Sequence, residues 1–240
     1  MTADLSVVAR DLAPTGTLRA SINLGNPVLA QGSPSAPSGV TVDIARAVGE
    51  RLGLPVELLC FDAARRSYEA MATGAADICF LAIDPAREAE VAFTEPYVLI
   101  EGVYVVPAAS PLCTASDVDT EGVRVGVKTG SAYDLHLTRT LEHARLVRGD
   151  EGVDVFLDEG LEVGAGIREP VTAFAQSRDG LRLLDGAFMQ IRQAVGTTRS
   201  RSPRTVAFLR DLVEDLKADG FVAAALERSR QRRDLAAPPA

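Results

Sequence analysis

The sequence predicts an α/β protein with parallel sheets and helices on their faces. Three observations support this prediction. Apolar, strand-like runs alternate with helix-like segments over residues 18–81, the alternation recurs over 123–184, and extended runs near 98–106 and 189–195 bracket the second alternation. The bracketing predicts a discontinuous domain, with the extended runs as hinge strands and a cleft between two lobes as the natural ligand site.

Composition and charge describe an ordinary folded chain with one large domain or two small ones. It has 240 residues, of which 47% are hydrophobic and 24% charged, and a formal net charge of −8. Nucleic acid is excluded as the main partner, because phosphate binding needs clustered Lys and Arg. Lys128 and Lys217 are the only lysines.

The elements of the first alternation follow from apolar periodicity and from the positions of Gly and Pro. Asp84 and Pro85 predict a helix start, because Asp accepts free N–H groups and Pro fits the first helical position. The predicted elements are a strand at 18–22, a loop at 31–39, a helix stopped by Gly53, a strand at 56–61, a helix at 66–73, a strand at 78–81, and a helix from Asp84 that ends at 93–97.

The second alternation gives the remaining elements. They are a strand at 123–127, a helix from Gly130-Ser131 to at least Thr140, a helix at 153–157, a strand at 163–167, a helix at 172–176, a strand at 181–184, a helix begun by Ser202-Pro203 and stopped by Gly220, a helix at 221–229 and a loose tail ending AAPPA. We assign residues 1–102 and 193–240 to the first lobe and 103–192 to the second.

Cysteine and histidine spacing predicts neither a metal site nor a cofactor. Cys60, Cys79 and Cys113 match no zinc pattern. The first two lie in apolar stretches and are expected to be buried thiols, although a disulfide between them stays open if their strands are neighbours. His136 and His143, if on one helix, lie about 10 Å apart, which is too far to hold one metal.

The amino-terminal segment contains no apolar run of signal-peptide length. Met1–Pro14 is interrupted by Asp4, Arg10 and Asp11. No segment reaches the ~18 apolar residues of a membrane helix. We therefore expect a cytoplasmic chain if Met1 is the true start, and an exported one if a signal was removed.

Three motifs carry a resemblance to a known family. Gly39–Gly53 (GVTVDIARAVGERLG) forms the first, Ala75–Ile78 with Asp84–Arg87 and Phe93–Tyr97 the second, and Val125–Ser131 (VGVKTGS) the third. Together they resemble the family 3 solute-binding proteins, the amino-acid-binding components of ABC importers.

The resemblance spans roughly residues 16–228 and carries expectations for fold and function. It implies a two-lobed periplasmic-binding-protein-like fold of type II, with two hinge strands and a ligand cleft. It also implies a monomer that closes on an amino acid or a related small carboxylate, with an ABC importer permease as a possible partner and no cofactor.

The family's carboxylate-binding arginine falls on Arg87. A guanidinium is a permanently charged, planar fork that donates two parallel hydrogen bonds to a carboxylate. The first turn of a helix is also a place where free N–H groups favour anions. The alternative is a surface arginine paired with Glu88 or Glu90.

The turn at Gly130 supplies a second expected anion-binding element. Gly lets the backbone approach a ligand closely, and the N–H groups of Ser131 and Ala132 can then donate to the same carboxylate. The alternative is that Ser131 is an ordinary helix N-cap, and this role is compatible with ligand binding.

The ligand ammonium needs an acidic partner, and the resemblance places this role on Glu169. The family usually has Asp there. The alternative is a solvated acid that pairs with the preceding Arg168.

The chain departs from the family at the remaining ligand positions. Asn23 and Asn26 stand where an aromatic lid is usual and offer amide donors and acceptors. Leu81 and Ala82 replace the usual Ser or Thr and leave only backbone groups. Asp62 faces the cleft or caps the following helix.

Two other functions stay open. The same fold serves dehydratases such as cyclohexadienyl dehydratase, in which case Glu169 would be a general acid beside a carboxylate held by Arg87. A ligand sensor with no transporter partner is the other possibility.

Overall fold

A computed structural model describes residues 2–240 and confirms the mixed α/β class. The chain divides into two compact units. The first comprises Met1–Leu99 and Arg192–Ala240, and the second comprises Ile100–Ile191. No helix in residues 2–240 combines the length and apolar character required to cross a membrane.

The helices and strands alternate along most of the chain. The helices are α1 (Thr2–Leu12), α2 (Val40–Leu52), α3 (Ala64–Ala72), α4 (Pro85–Glu88), α5 (Ala132–Thr140), α6 (Gly152–Asp158), α7 (Arg168–Gln176), α8 (Pro203–Ala218) and α9 (Phe221–Arg228). The strands are β1 (Leu18–Asn23), β2 (Gln31–Ser33), β3 (Ala36–Ser38), β4 (Val56–Phe61), β5 (Ile78–Ala82), β6 (Val91–Pro107), β7 (Arg124–Lys128), β8 (Arg145–Gly149), β9 (Val163–Ile167), β10 (Leu181–Leu183) and β11 (Met189–Thr198). Strands β6 and β11 carry the chain from one unit into the other.

The sheet of the first unit has the strand order β4-β1-β5-β11. Strand β1 is parallel to β4 and β5, and β11 is antiparallel to β5. The chain moves from β1 outward to β4 and then returns across β1 to β5. This reversal is a topological switch point, and open α/β sheets bind ligands outside the carboxyl ends of the strands there.

The second unit repeats this arrangement. Its strand order is β6-β9-β7-β8, with β7 parallel to β8 and β9, and with β10 paired to β6. Helices α5 and α6 connect β7 to β8 and β8 to β9, so the switch point lies between β7 and β9.

A buried carboxylate fixes the register of three strands in the first unit. Asp77 is 0% exposed and immediately precedes β5. Its carboxylate accepts hydrogen bonds from the Arg19 backbone N–H at 2.9 Å and from Nη2 of the same residue at 2.7 Å. Thr197 of β11 donates to the Asp77 carbonyl at 2.8 Å, and Arg201 Nη2 lies 3.3 Å from the carboxylate. Asp77 therefore joins β1, β5 and β11.

The second unit has a similar pair at the same place in its sheet. Arg124 begins β7, and Glu162 immediately precedes β9. The Glu162 carboxylate accepts from the Arg124 backbone N–H at 2.8 Å and from its Nε at 2.9 Å. The hydrogen bonds from Arg124 hold the pKa of Glu162 below its usual range. This pair is more exposed than that of Asp77, with about two fifths of each side chain accessible.

Both terminal segments of the described chain form hydrogen bonds with the rest of the first unit. The Asp11 carboxylate of α1 accepts from Ser202 N–H at 2.9 Å and from the Thr205 hydroxyl at the start of α8. At the other end, Ala237 N–H donates to the Tyr97 carbonyl at 2.9 Å. The expectation of a loose AAPPA tail is therefore wrong.

The ammonium of Lys217 explains why the tail is ordered. The Lys217 side chain is 1% exposed and pairs with Glu214 at 2.7 Å. The ammonium also donates to the Pro238 carbonyl at 3.1 Å. A buried ammonium needs acceptors, and the tail backbone supplies one.

Two local predictions were wrong, and one strand was not predicted. The predicted loop 31–39 contains the short β2–β3 hairpin, whose turn is Pro34-Ser35 and in which Gly32, with φ of 91°, lets its backbone approach the Ala36 carbonyl closely. The helix from Pro85 ends at Glu88, and β6 begins at Val91. The polar-rich Arg145–Gly149 forms the outer strand β8, and its composition hid this role.

The cysteines are free thiols. Cys79 is buried, Cys60 is partly buried and Cys113 is exposed. A Cys60–Cys79 disulfide is excluded, because β1 lies between β4 and β5. The single-helix arrangement considered for the histidines is also absent, since α5 ends before His143.

Asp77→Asn tests the importance of the buried carboxylate. We expect the free energy of unfolding to fall by about 3–5 kcal/mol, because removing one member of a buried ion pair leaves its partner charge uncompensated. Asp215→Asn is the control, since Asp215 is 63% exposed and lies 3.6 Å from Arg51, and its loss should be under ~1 kcal/mol. Urea denaturation measures both, and equally small losses would contradict the assignment.

Candidate functional site

The candidate residues of the first unit lie at the carboxyl ends of β1 and β5. These strands are neighbouring and parallel, so their ends share one edge of the sheet. Asn23 ends β1 and Ala82 ends β5, with Leu81 just before it. Leu81 and Ala82 are buried. The fold thus gathers Asn23, Leu81, Ala82 and the following Arg87 at the switch point.

Arg87 is buried rather than superficial. It is 3% exposed, and its Nη1 donates to the Ala82 carbonyl at 3.1 Å. Burial lowers the pKa of the Arg87 guanidinium, while the nearby Asp84 carboxylate acts in the opposite direction. The alternative of a surface position for Arg87 is therefore wrong.

Asp84 fixes the start of the short helix that carries Arg87. Its Oδ1 accepts from the Ala86 N–H at 2.9 Å, and Pro85 occupies the first helical position. The predicted N-cap is confirmed. Helix α4 begins shortly after β5 ends. The position of this cap therefore fixes where the Arg87 side chain projects from the backbone.

The asparagines of the first unit shape the loop after β1. Asn23 Oδ1 accepts from Gly25 N–H at 3.0 Å, and Asn26 Oδ1 accepts from Val28 N–H at 3.2 Å. Asn26 is 5% exposed. Both amide oxygens accept hydrogen bonds from the local backbone. The side-chain N–H groups are therefore the main donors that these asparagines can offer to a ligand.

Asp62 lies apart from this group. It follows β4, which is on the far side of β1 from β5. Its side chain is 70% exposed and pairs with Arg66 at 3.3 Å. Helix α3 has no side-chain cap, so the expected capping role of Asp62 is wrong.

In the second unit, the turn after β7 is held by its own hydrogen bonds. Gly130 has φ of 69°, a conformation that favours glycine. Ser131 is the N-cap of α5 and accepts from Asp134 N–H at 3.0 Å. The Ser131 N–H donates to the Lys128 carbonyl at 3.1 Å. The Ser131 N–H is therefore engaged within the turn, and the roles of Ser131 and Ala132 toward a ligand stay predictions.

Asp134 is a residue that sequence reasoning missed. It is 4% exposed, and its carboxylate accepts from Gly130 N–H at 2.8 Å and from Arg148 Nε at 2.9 Å. The available signal was the spacing Ser131-x-x-Asp134, which resembles a capping box. Asp134 thus determines the conformation of the turn that precedes α5.

Glu169 lies in the first turn of α7, where the helix dipole favours an anion. It is partly buried, and its Oε2 has no hydrogen-bond partner among the described residues. Arg168 instead pairs with Glu101 and donates to the Gly186 carbonyl at 3.2 Å. The suggested Arg168–Glu169 pair is therefore wrong.

The chain is similar to a protein-family model and to solved structures. The model of bacterial extracellular solute-binding proteins, family 3, matches residues 23–229. No curated protein matches.

Three solved structures illustrate the structural likeness. An amino acid ABC transporter substrate-binding protein from Streptococcus pneumoniae, bound to L-arginine, has a TM-score of 0.75 at 16% identity and covers 92% of this chain and 97% of its own. A putative ABC transporter binding component from Wolinella succinogenes, complexed with lysine, gives 0.73 at 20%, with coverages of 89% and 95%. AncCDT-1, an ancestral amino acid-binding protein and precursor of cyclohexadienyl dehydratase, gives 0.74 at 19%, with 93% and 98%.

Asp134→Ala tests how the turn is held. The Gly130 amide should exchange with deuterium faster than in the unaltered protein, because it loses its acceptor, and the free energy of unfolding should fall by about 1–3 kcal/mol. Asp154→Ala is the matched control, since Asp154 lies exposed in the first turn of α6. Unchanged exchange at Gly130 in the Asp134 variant would contradict the assignment.

Proposed function

Because the chain belongs to the bacterial extracellular solute-binding proteins of family 3, we propose that it binds an amino acid or a closely related small carboxylate and releases it chemically unchanged. The family is extracytoplasmic, and ABC importers are the transport systems that such proteins serve. We propose an importer permease as the partner and a monomer as the working form.

The buried guanidinium of Arg87 is the observation that supports this proposal. It is 3% exposed and lies at the switch point of the first unit. A cation that has been taken out of water gains strongly from an anion, because the local dielectric constant is low. A carboxylate also matches the fork of the guanidinium with two parallel hydrogen bonds. We therefore assign the ligand carboxylate to Arg87.

The second unit supplies complementary groups at its own switch point. We assign the ligand ammonium to Glu169, whose Oε2 accepts no hydrogen bond from the described residues. Ala132 is the first residue of α5, where backbone N–H groups lack partners within the helix. We assign its N–H to a ligand oxygen. Ser131 contributes indirectly, as the N-cap of that helix.

The remaining candidate residues are assigned to the ligand's outer portion. Asn23 and Asn26 offer amide N–H donors, while Leu81 and Ala82 line the carboxyl end of β5. Asp62 receives no direct role in this proposal, because it is exposed and paired with Arg66.

A dehydratase is the second candidate function, and the observation that favours it is the likeness to AncCDT-1. Glu169 would then protonate a leaving hydroxyl beside the carboxylate held by Arg87. Mass spectrometry of the bound compound distinguishes the two functions. A binding protein returns its ligand unchanged, whereas a dehydratase returns a product lighter by one water, and by CO2 as well if loss of a carboxylate rather than of a proton completes the elimination.

Arg87→Ala tests the carboxylate assignment. We expect affinity for the best-bound amino acid to fall at least ~10-fold, since losing a charge-assisted pair costs about 1.4 kcal/mol or more. Isothermal titration calorimetry measures the change. Arg66→Ala is the control, because Arg66 is half exposed and pairs only with Asp62 among the described residues.

Arg87→Lys keeps the charge but removes the fork, and it guards against a folding defect in the alanine variant. Thermal unfolding without ligand shows whether each variant is folded. If a folded Arg87 variant binds as tightly as the unaltered protein, the carboxylate assignment is overturned.

A further inference from the structure

Lys128 is a nearly buried cation at the switch point of the second unit. It is the last residue of β7, the strand between β8 and β9, so it lies at the carboxyl end of the strand that borders the switch point. The side chain is 12% exposed. An ammonium at this depth loses much of its hydration and needs compensating acceptors.

The two lysines of the chain differ in how their charge is compensated. Lys217 is held by the Glu214 carboxylate and by the Pro238 carbonyl. The ammonium of Lys128 pairs with Glu151, and within residues 2–240 it has no second acceptor. An ammonium carries three N–H donors, so Lys128 can donate to a further oxygen without breaking this pair.

The position of Glu151 makes Lys128, rather than Glu151, the group nearer to the switch point. Glu151 follows β8, which is the outer strand beyond β7, whereas Lys128 belongs to β7 itself. The Glu151 side chain is 49% exposed. It therefore keeps contact with water, and it does not need a ligand to satisfy it.

We propose that Lys128 is a specificity-determining residue that selects a ligand with a second carboxylate, an acidic amino acid. This inference rests on the proposed function and adds the ligand class to it. Arg87 binds the α-carboxylate, Glu169 the ammonium and Lys128 the side-chain carboxylate. A ligand with a cationic side chain would instead bring a like charge toward Lys128, which is unfavourable in a site with little water.

The test compares acids with their uncharged amides. Calorimetric titrations with L-glutamate and L-glutamine, and with L-aspartate and L-asparagine, measure the preference for a charged side chain at nearly constant shape. We expect one of the acids to bind at least ~10-fold more tightly than its amide, and L-arginine and L-lysine to bind more weakly than that acid.

Lys128→Met removes the charge and retains a long side chain. The acid-to-amide affinity ratio should collapse toward one in this variant, whereas Lys128→Arg should retain most of it. Arg145→Gln is the matched control, since it removes an exposed positive charge at the opposite end of the parallel strands and should leave the ratio unchanged. A ratio of affinities is insensitive to partial unfolding, which lowers both affinities alike.

The outcomes separate this inference from the proposed function. Tighter binding of L-glutamine, L-arginine or L-lysine, with loss of binding in Arg87→Ala, would overturn the role of Lys128 and leave the proposed function standing. An acid preference that persists in Lys128→Met would also overturn it. Failure of every amino acid to bind the folded, unaltered protein would overturn the role of Lys128, and failure of simple carboxylic acids as well would overturn the proposed function.

Discussion

The first unit depends on the buried carboxylate of Asp77. Through its side chain and backbone, this residue bonds to Arg19, Arg201 and Thr197, and so joins β1, β5 and β11 at one end of the sheet. Burying three charges is unfavourable unless each is paired and hydrogen-bonded, which restricts these strands to one register. That register sets where β1 and β5 end, and hence where Asn23 and Arg87 lie.

The same physical arrangement serves both units. In the first unit, Arg19 of β1 pairs with Asp77, the residue before β5. In the second unit, Arg124 of β7 pairs in the same way with Glu162, the residue before β9. Each unit thus carries an ion pair at the amino ends of its parallel strands. The carboxyl ends in the second unit hold Lys128, which pairs with Glu151, and lead to Glu169, whose Oε2 accepts no hydrogen bond from the described residues. These are the groups to which we assign ligand recognition.

Much of this architecture was accessible from the sequence, because apolar runs and glycine stops set the strands and helices. The strands at 56–61 and 163–167 were predicted with their observed bounds. The burial of Arg87 was not, since an arginine followed by acidic residues in a short helix resembles a surface residue. Asp134 and the tail contacts depend on long-range partners that periodicity does not reveal. The binding roles of Arg87, Ala132 and Glu169 remain predictions.

The split composition of the first unit also has a consequence for how the protein folds. Ala82 of β5 pairs with Gln193 of β11, and the first unit gains its last strand only after the entire second unit has been synthesised. The second unit is one continuous stretch, Ile100–Ile191, so its contacts can form earlier on the ribosome. The chain between β5 and β11 forms a long loop, and its closure costs entropy before the pairing of the two strands compensates for that cost. We therefore expect the inserted unit to mature first and the enclosing unit to complete the fold.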